Sequence, residues 1–102
     1  MSLGKKGKIT KTTATGDSPE EFDAIVNEPC VVRGVLSCHD QTNNAIIKLY
    51  DALTVTGVPV VQFRTTKTVP YHKIEDVQFS TGVSAEITIG GGTMSWSLLF
   101  EA

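Results

Sequence analysis

Val83-Ser84-Ala85-Glu86-Ile87-Thr88-Ile89, Gly90-Gly91-Gly92 and Thr93-Met94-Ser95-Trp96-Ser97-Leu98-Leu99-Phe100 decide the fold class. In the first block Val83, Ala85, Ile87 and Ile89 alternate with Ser84, Glu86 and Thr88. In the last, Met94, Trp96, Leu98 and Phe100 alternate with Thr93, Ser95, Ser97 and Leu99. Side chains of a strand point to opposite faces in turn, so this period of two gives each strand one face to bury. The three glycines accept positive φ angles without a steric penalty, and the spacing predicts a tight hairpin across them.

Upstream the same grammar continues. Cys30 to Cys38, Ala45 to Tyr50, Val60 to Arg64, Thr68 to Ile74 and Val77 to Phe79 are short blocks rich in β-branched and aromatic residues, separated by turn-forming segments. His39-Asp40-Gln41-Thr42-Asn43-Asn44 suits a hairpin between the first two blocks, and Asp51 to Val58 a loop containing Gly57. Pro59 opens the next block, where its missing N–H is tolerated. About seven strands with no helical crossover between them predict an all-β antiparallel β-sandwich, two sheets packed face to face.

The N-terminal third reads differently. Ser18 as N-cap, Pro19 at the first helical position and Glu21 three residues after the cap signal a helix start, with Phe22, Ile25 and Val26 on one face. Pro29 stops it after barely two turns, so the fold has at most one short N-terminal helix, or extended chain in its place. Lys8 to Thr15 reads as a polar edge strand or an extended arm. The expected division is a flexible basic arm over residues 1–16 and a single β-sandwich domain over residues 17–102.

The chain has 102 residues, 40% hydrophobic and 20% charged, the composition of an ordinary globular domain. No apolar run approaches the roughly 18 to 20 residues that span a bilayer, and the basic N-terminus is not followed by an apolar stretch, so neither membrane insertion nor a secretory signal is expected. Of the 9 basic residues, Lys5, Lys6, Lys8 and Lys11 lie in the first eleven positions, and all 11 acidic residues follow them. A body that acidic offers no basic face to nucleic acid; the Lys5–Lys11 segment alone could.

No reactive constellation stands out. The triple glycine is not followed by the Lys-Ser or Lys-Thr of a phosphate loop. The candidate metal ligands Cys30, Cys38, His39, Asp40 and His72 show no zinc-like spacing, so no metal or other cofactor is expected. The serines fall mostly at outward strand positions or in turns, and no nucleophile-elbow sequence occurs, so the chain is not expected to be an enzyme. Cys30 and Cys38 are eight residues apart on one block, roughly 26 Å if extended at about 3.3 Å per residue, far beyond the roughly 7 Å of a disulfide. They are expected to be free thiols on one strand face, packed as small apolar residues. Trp96 belongs to the apolar stripe, whereas Tyr71 is free to lie at the surface.

From Val31 onward the pattern resembles small structural proteins of tailed-phage virions, the marine-phage type especially. Ile47-Lys48-Leu49-Tyr50-Asp51 ends a strand, a loop closes at Gly57 before Pro59-Val60-Val61-Gln62-Phe63, and Val77-Gln78-Phe79-Ser80-Thr81-Gly82-Val83 leads into the last blocks. The resemblance covers neither the acidic Ser18 to Glu28 segment nor the two cysteines. It implies a jelly-roll-like sandwich packed in copies on a capsid, neck or tail, assembled in the host cytoplasm, without catalytic residues.

Apolar groups also fall on both faces of two strands: Leu99 is out of phase with its stripe, and Ile46 and Tyr50 oppose Ile47 and Leu49. Grouped apolar residues on an outer face mark an interface. Ile46, Tyr50, Tyr71 and Leu99 are therefore the candidate interface residues, with the protein itself (a homo-oligomer) or other virion proteins as partners. Alternatively a loop, or the Phe22 to Val26 segment, covers them within one chain. Two other functional readings are a small ligand- or glycan-binding module using Tyr71, His72 and the loops, and a small hydrolase acting through an unrecognised site.

Overall fold

A computed structural model describes residues 6–14, 19–39, 45–65, 71–89 and 93–102. These form eight strands and no helix: β1 Lys6–Ala14, β2 Glu20–Val26, β3 Cys30–His39, β4 Ala45–Tyr50, β5 Val61–Thr65, β6 Tyr71–Phe79, β7 Val83–Ile89 and β8 Thr93–Glu101. They make two four-stranded antiparallel sheets, β1-β8-β3-β6 and β2-β7-β4-β5.

The order has a simple origin. β4 pairs with β5, β3 with β6, β2 with β7 and β1 with β8, as in one long hairpin whose turn lies between β4 and β5. Rolling that ribbon onto itself adds the contacts of β3 with β8 and β4 with β7 and splits it into two layers. The result is a jelly roll, the double-sheet solution in which eight strands form two Greek keys. Every connection except that from β4 to β5 carries the chain to the other sheet.

Two expected hairpins are thereby corrected. β7 and β8 lie in different sheets, as do β3 and β4, so the segments 90–92 and 40–44 link layers rather than neighbouring strands. A period of two states which side chains face inward, and β7 and β8 obey it. It does not state which strand lies alongside, and in the rolled ribbon β8 pairs with β1 and β3.

The core lies between the sheets. One layer contributes Val32, Val35, Ile74, Phe79, Met94, Trp96 and Leu98, the other Ala45, Ile47, Leu49, Val83, Ala85, Ile87 and Ile89. Trp96, on a central strand, is 1% exposed and meets Phe22 of the opposite sheet edge-on at a centroid distance of 5.2 Å. Its indole N–H, costly to bury unpaired, donates to the Thr13 hydroxyl at 3.0 Å. That bond and the full β1–β8 ladder settle the N-terminal segment: over Lys6–Ala14 it is an edge strand, not an arm.

The helix signal near Ser18 is overridden in the same way. Glu20 to Phe22 pair with β7, and Asp23, Ala24 and Ile25 then stand against Ser84 alone before Val26 pairs with Val83. Ala24 sits in this bulge at φ 47°, a strained angle for a residue with a side chain, and its N–H is caught by the Ser84 hydroxyl at 3.0 Å. Ile25 and Val26 thereby both reach the core. About two turns of isolated helix cannot compete with that burial.

Gly82 precedes β7 where backbone passes backbone. A Cβ there would lie 2.5 Å from the Val26 carbonyl oxygen and 3.0 Å from Leu53 Cδ2. Gly82→Ala should therefore lower stability by roughly 1–3 kcal/mol, read as a reduced urea midpoint at unchanged slope.

Candidate interaction surface

The second bulge decides what the outer faces carry. β3 inserts Arg33 between Val32, opposite Phe100, and Gly34, opposite Leu99, so two steps on β3 match one on β8. The alternation changes phase there: Cys30 and Val32 face inward before the bulge, Val35 and Ser37 after it. Cys38 is consequently exposed, contrary to the expectation of two buried thiols on one face. Cys30 stays buried and free at the other end of the strand. Burial, reinforced by the negative charges of Asp51 and Glu28, pushes its thiol up to about 11.

On the outer face of the β1-β8-β3-β6 sheet, Leu36 pairs with Tyr71 on one side and Ser97 on the other, and Gly34 lies between Lys73 and Leu99. The Tyr71 ring leans across Gly34: a Cβ there would lie 2.8 Å from Tyr71 Cε1. Leu36 is 38% and Tyr71 44% exposed, and Leu99 is half-buried. Tyr71, Leu36 and Leu99 thus form an apolar strip around a glycine. Toward the β8 N-terminus the face turns polar, with Thr10 and Ser97 hydroxyls hydrogen-bonded at 2.8 Å. Two of the candidate interface residues meet here. Leu36 was missed because the bulge that turns it outward leaves no signature in a run of apolar residues.

The other two do not join them. Ile46 and Tyr50 lie on the outer face of the opposite sheet, where Ile46 is flanked by Thr88 and Arg64 and the next outward residue, Lys48, pairs with Glu86 at 3.5 Å. Tyr50 is 6% exposed, so it offers no free surface. Its ladder neighbour Ser84 is fully buried, and the Ser84 hydroxyl donates to the Ala52 carbonyl while receiving the Ala24 N–H. The 51–60 loop and the β2 bulge meet at that point.

Asp51, just past Tyr50, closes this end of the sandwich. Its carboxylate accepts the backbone N–H groups of Ser80 at 3.0 Å, Thr81 at 2.8 Å and Gly82 at 3.4 Å. Partial burial alone would raise its pKa, but the three donors outweigh burial and hold it below the ordinary 3.8. The Tyr-Asp strand end and the Phe79-Ser80-Thr81-Gly82 turn, far apart in sequence, are therefore two halves of one clasp.

The remaining candidates are scattered. Tyr71 and His72 point to opposite faces of β6: the His72 ring stacks on Phe63 at 4.7 Å, where the edge strands of the two sheets meet. Among the described residues no three His, Cys, Asp or Glu side chains gather as a metal site. Asp40 lies outside the described residues. Lys8 is exposed and Lys11 half-buried on the alternate face of β1, so the basic segment does not present them as one patch. Among the described residues no helix is long and apolar enough to cross a membrane.

No family model matches this chain, and no curated protein matches it. Among solved structures it is similar to the Drosophila NLP core, whose crystal structure concerns pentamer formation and histone binding, at TM-score 0.49 and 11% identity over 92% of this chain and 95% of that one. A likeness this faint adds nothing to the fold given by the strand pairings.

Two outcomes are expected. In the native protein iodoacetamide should modify Cys38 and spare Cys30 until denaturant is added, as peptide mass mapping would show. Asp51→Asn should cost about 1–2 kcal/mol near neutral pH, allowing for partial solvent screening. Because the folded carboxyl titrates below its unfolded value, its stabilisation is present above about pH 4 and fades as the pH falls through the folded value, so wild type and variant should converge in acid denaturation.

Proposed function

We propose that this chain is a non-enzymatic structural component of a tailed-phage virion that acts by packing against copies of itself or neighbouring virion proteins. The observation that carries the reading is the outer-face strip of Tyr71, Leu36 and Leu99: apolar groups gathered on a sheet face that would otherwise meet water favour a protein partner. The resemblance to virion proteins supports it, since two of its motifs are joined physically through Asp51. A jelly roll also suits a shell or tail subunit, with ladders that hold its shape and broad faces for neighbours. The protein would then be assembled in the host cytoplasm and reside in the particle. Nothing favours the ligand- or glycan-binding reading in particular, because Tyr71 and His72 do not share a platform.

Light scattering after size exclusion, at micromolar concentration, should give a mass that is a multiple of the 11.0 kDa chain. A monodisperse monomer would contradict self-assembly, and a gene neighbourhood of metabolic enzymes in place of capsid, portal or tail genes would contradict the virion assignment.

A further inference from the structure

The loop between β4 and β5 is apolar, uncharged and held firmly. Residues 52–60, Ala-Leu-Thr-Val-Thr-Gly-Val-Pro-Val, contain no ionisable side chain. Leu53 is 46%, Val60 48% and Val58 85% exposed. The loop is nevertheless pinned along its length. Asp51 grips the β6–β7 turn, Ser84 holds the Ala52 carbonyl, the Val55 N–H donates to Asp23 Oδ1 at 3.2 Å and the Val60 N–H to the Leu49 carbonyl at 2.8 Å. Gly57 makes the turn at φ 76°, which glycine alone adopts freely. Four anchors thus hold Val58 out in water, where an aliphatic side chain forgoes its burial.

A complementary feature lies on the other sheet. Where β1 begins and β8 ends, a depression of about 360 Å³ is lined by Gly7, Arg33, Leu99, Phe100 and Glu101. It adjoins the apolar strip through Leu99. Cavities of about 150 Å³ already admit a benzene-sized guest, so this one has room for the Val58 side chain and part of its neighbours. Its charges are paired with each other, Arg33 with Glu101, so an uncharged guest leaves no ion without a partner. The loop is tied to β2 and β7 of its own sheet, so a chain does not fill its own depression.

We infer that the β4–β5 loop of one copy seats Val58 in the Gly7, Leu99 and Phe100 depression of the next. This rests on the self-assembly reading above and deepens it by naming the two surfaces. Made twice across a twofold axis the contact gives a loop-exchanged dimer, and made once per neighbour it gives a ring of three or more copies or an open filament.

The test uses the full chain with Val58→Asp, which alters only the loop, and Leu99→Glu, which alters the depression and the strip beside it and places the new carboxylate opposite Lys8, so that the Val58 variant and the mixture separate the loop contact from the strip. Circular dichroism checks that both fold; should Leu99→Glu fail, Arg33→Trp, which fills the depression from an exposed position, takes its place. Light scattering should find wild type at two or more chains and each variant alone as a monomer. Mixed one to one, they should form a species of two chains, because the intact loop of one fits the intact depression of the other. An oligomer that survives either substitution, or variants that stay monomeric when mixed, would each overturn the inference while leaving self-assembly standing. Monomeric wild type would overturn both.

Discussion

One carboxylate organises the closed end of this molecule. Asp51 follows β4, where the rolled ribbon begins its turn, and accepts three consecutive N–H groups from the turn joining β6 to β7. Those donors belong to the other side of the ribbon, and the Gly82 N–H, on a buried residue, cannot be left unpaired cheaply. Gly82, the third donor, is also where a side chain would strike the β2 carbonyl, so the clasp and the close approach fix each other. The loop after Asp51 inherits its position from the same point.

Around that clasp the sandwich divides its polar groups by cost. The buried indole of Trp96 finds Thr13, the buried Ser84 hydroxyl finds a donor in Ala24 and an acceptor in Ala52, and Thr65 reaches Met94. Each bond also joins separate elements, so satisfying a buried donor and fixing the topology are one event. β1 shows this best. Its composition is that of a solvated tail, and it becomes a strand because β8 needs a ladder partner and Trp96 needs an acceptor.

The bulges turn a symmetric sandwich into one with unequal faces. The Arg33 insertion sends Cys38 and Leu36 outward and brings Tyr71 over Gly34, while the opposite sheet carries Ile46 among polar and paired neighbours and covers Tyr50. The large apolar side chains that the strands leave exposed, Leu36 and Tyr71, therefore lie on one sheet. The proposed assembly uses that gathering together with the rigid loop beyond Asp51.

Residue pattern suffices for the class: a period of two in β7 and β8, β-branched blocks from Cys30 onward and the lack of any helical crossover demand two antiparallel sheets with one buried face each. It also placed Trp96 in the core and Leu99 outside it, because inward and outward positions follow from parity within a strand. Pairing, phase and end closure were decided only in three dimensions. Parity names no neighbouring strand, so the glycine segment could be read as a hairpin although β7 and β8 part to different sheets. A bulge resets parity without any residue announcing it, which is why Cys38 and Leu36 changed sides. The helix signal at Ser18, Pro19 and Glu21 was a local preference of the kind that a ladder with β7 and the burial of Ile25 and Val26 outweigh. Asp51 and its turn stand about thirty residues apart, and only folding shows that a carboxylate and three N–H groups satisfy one another.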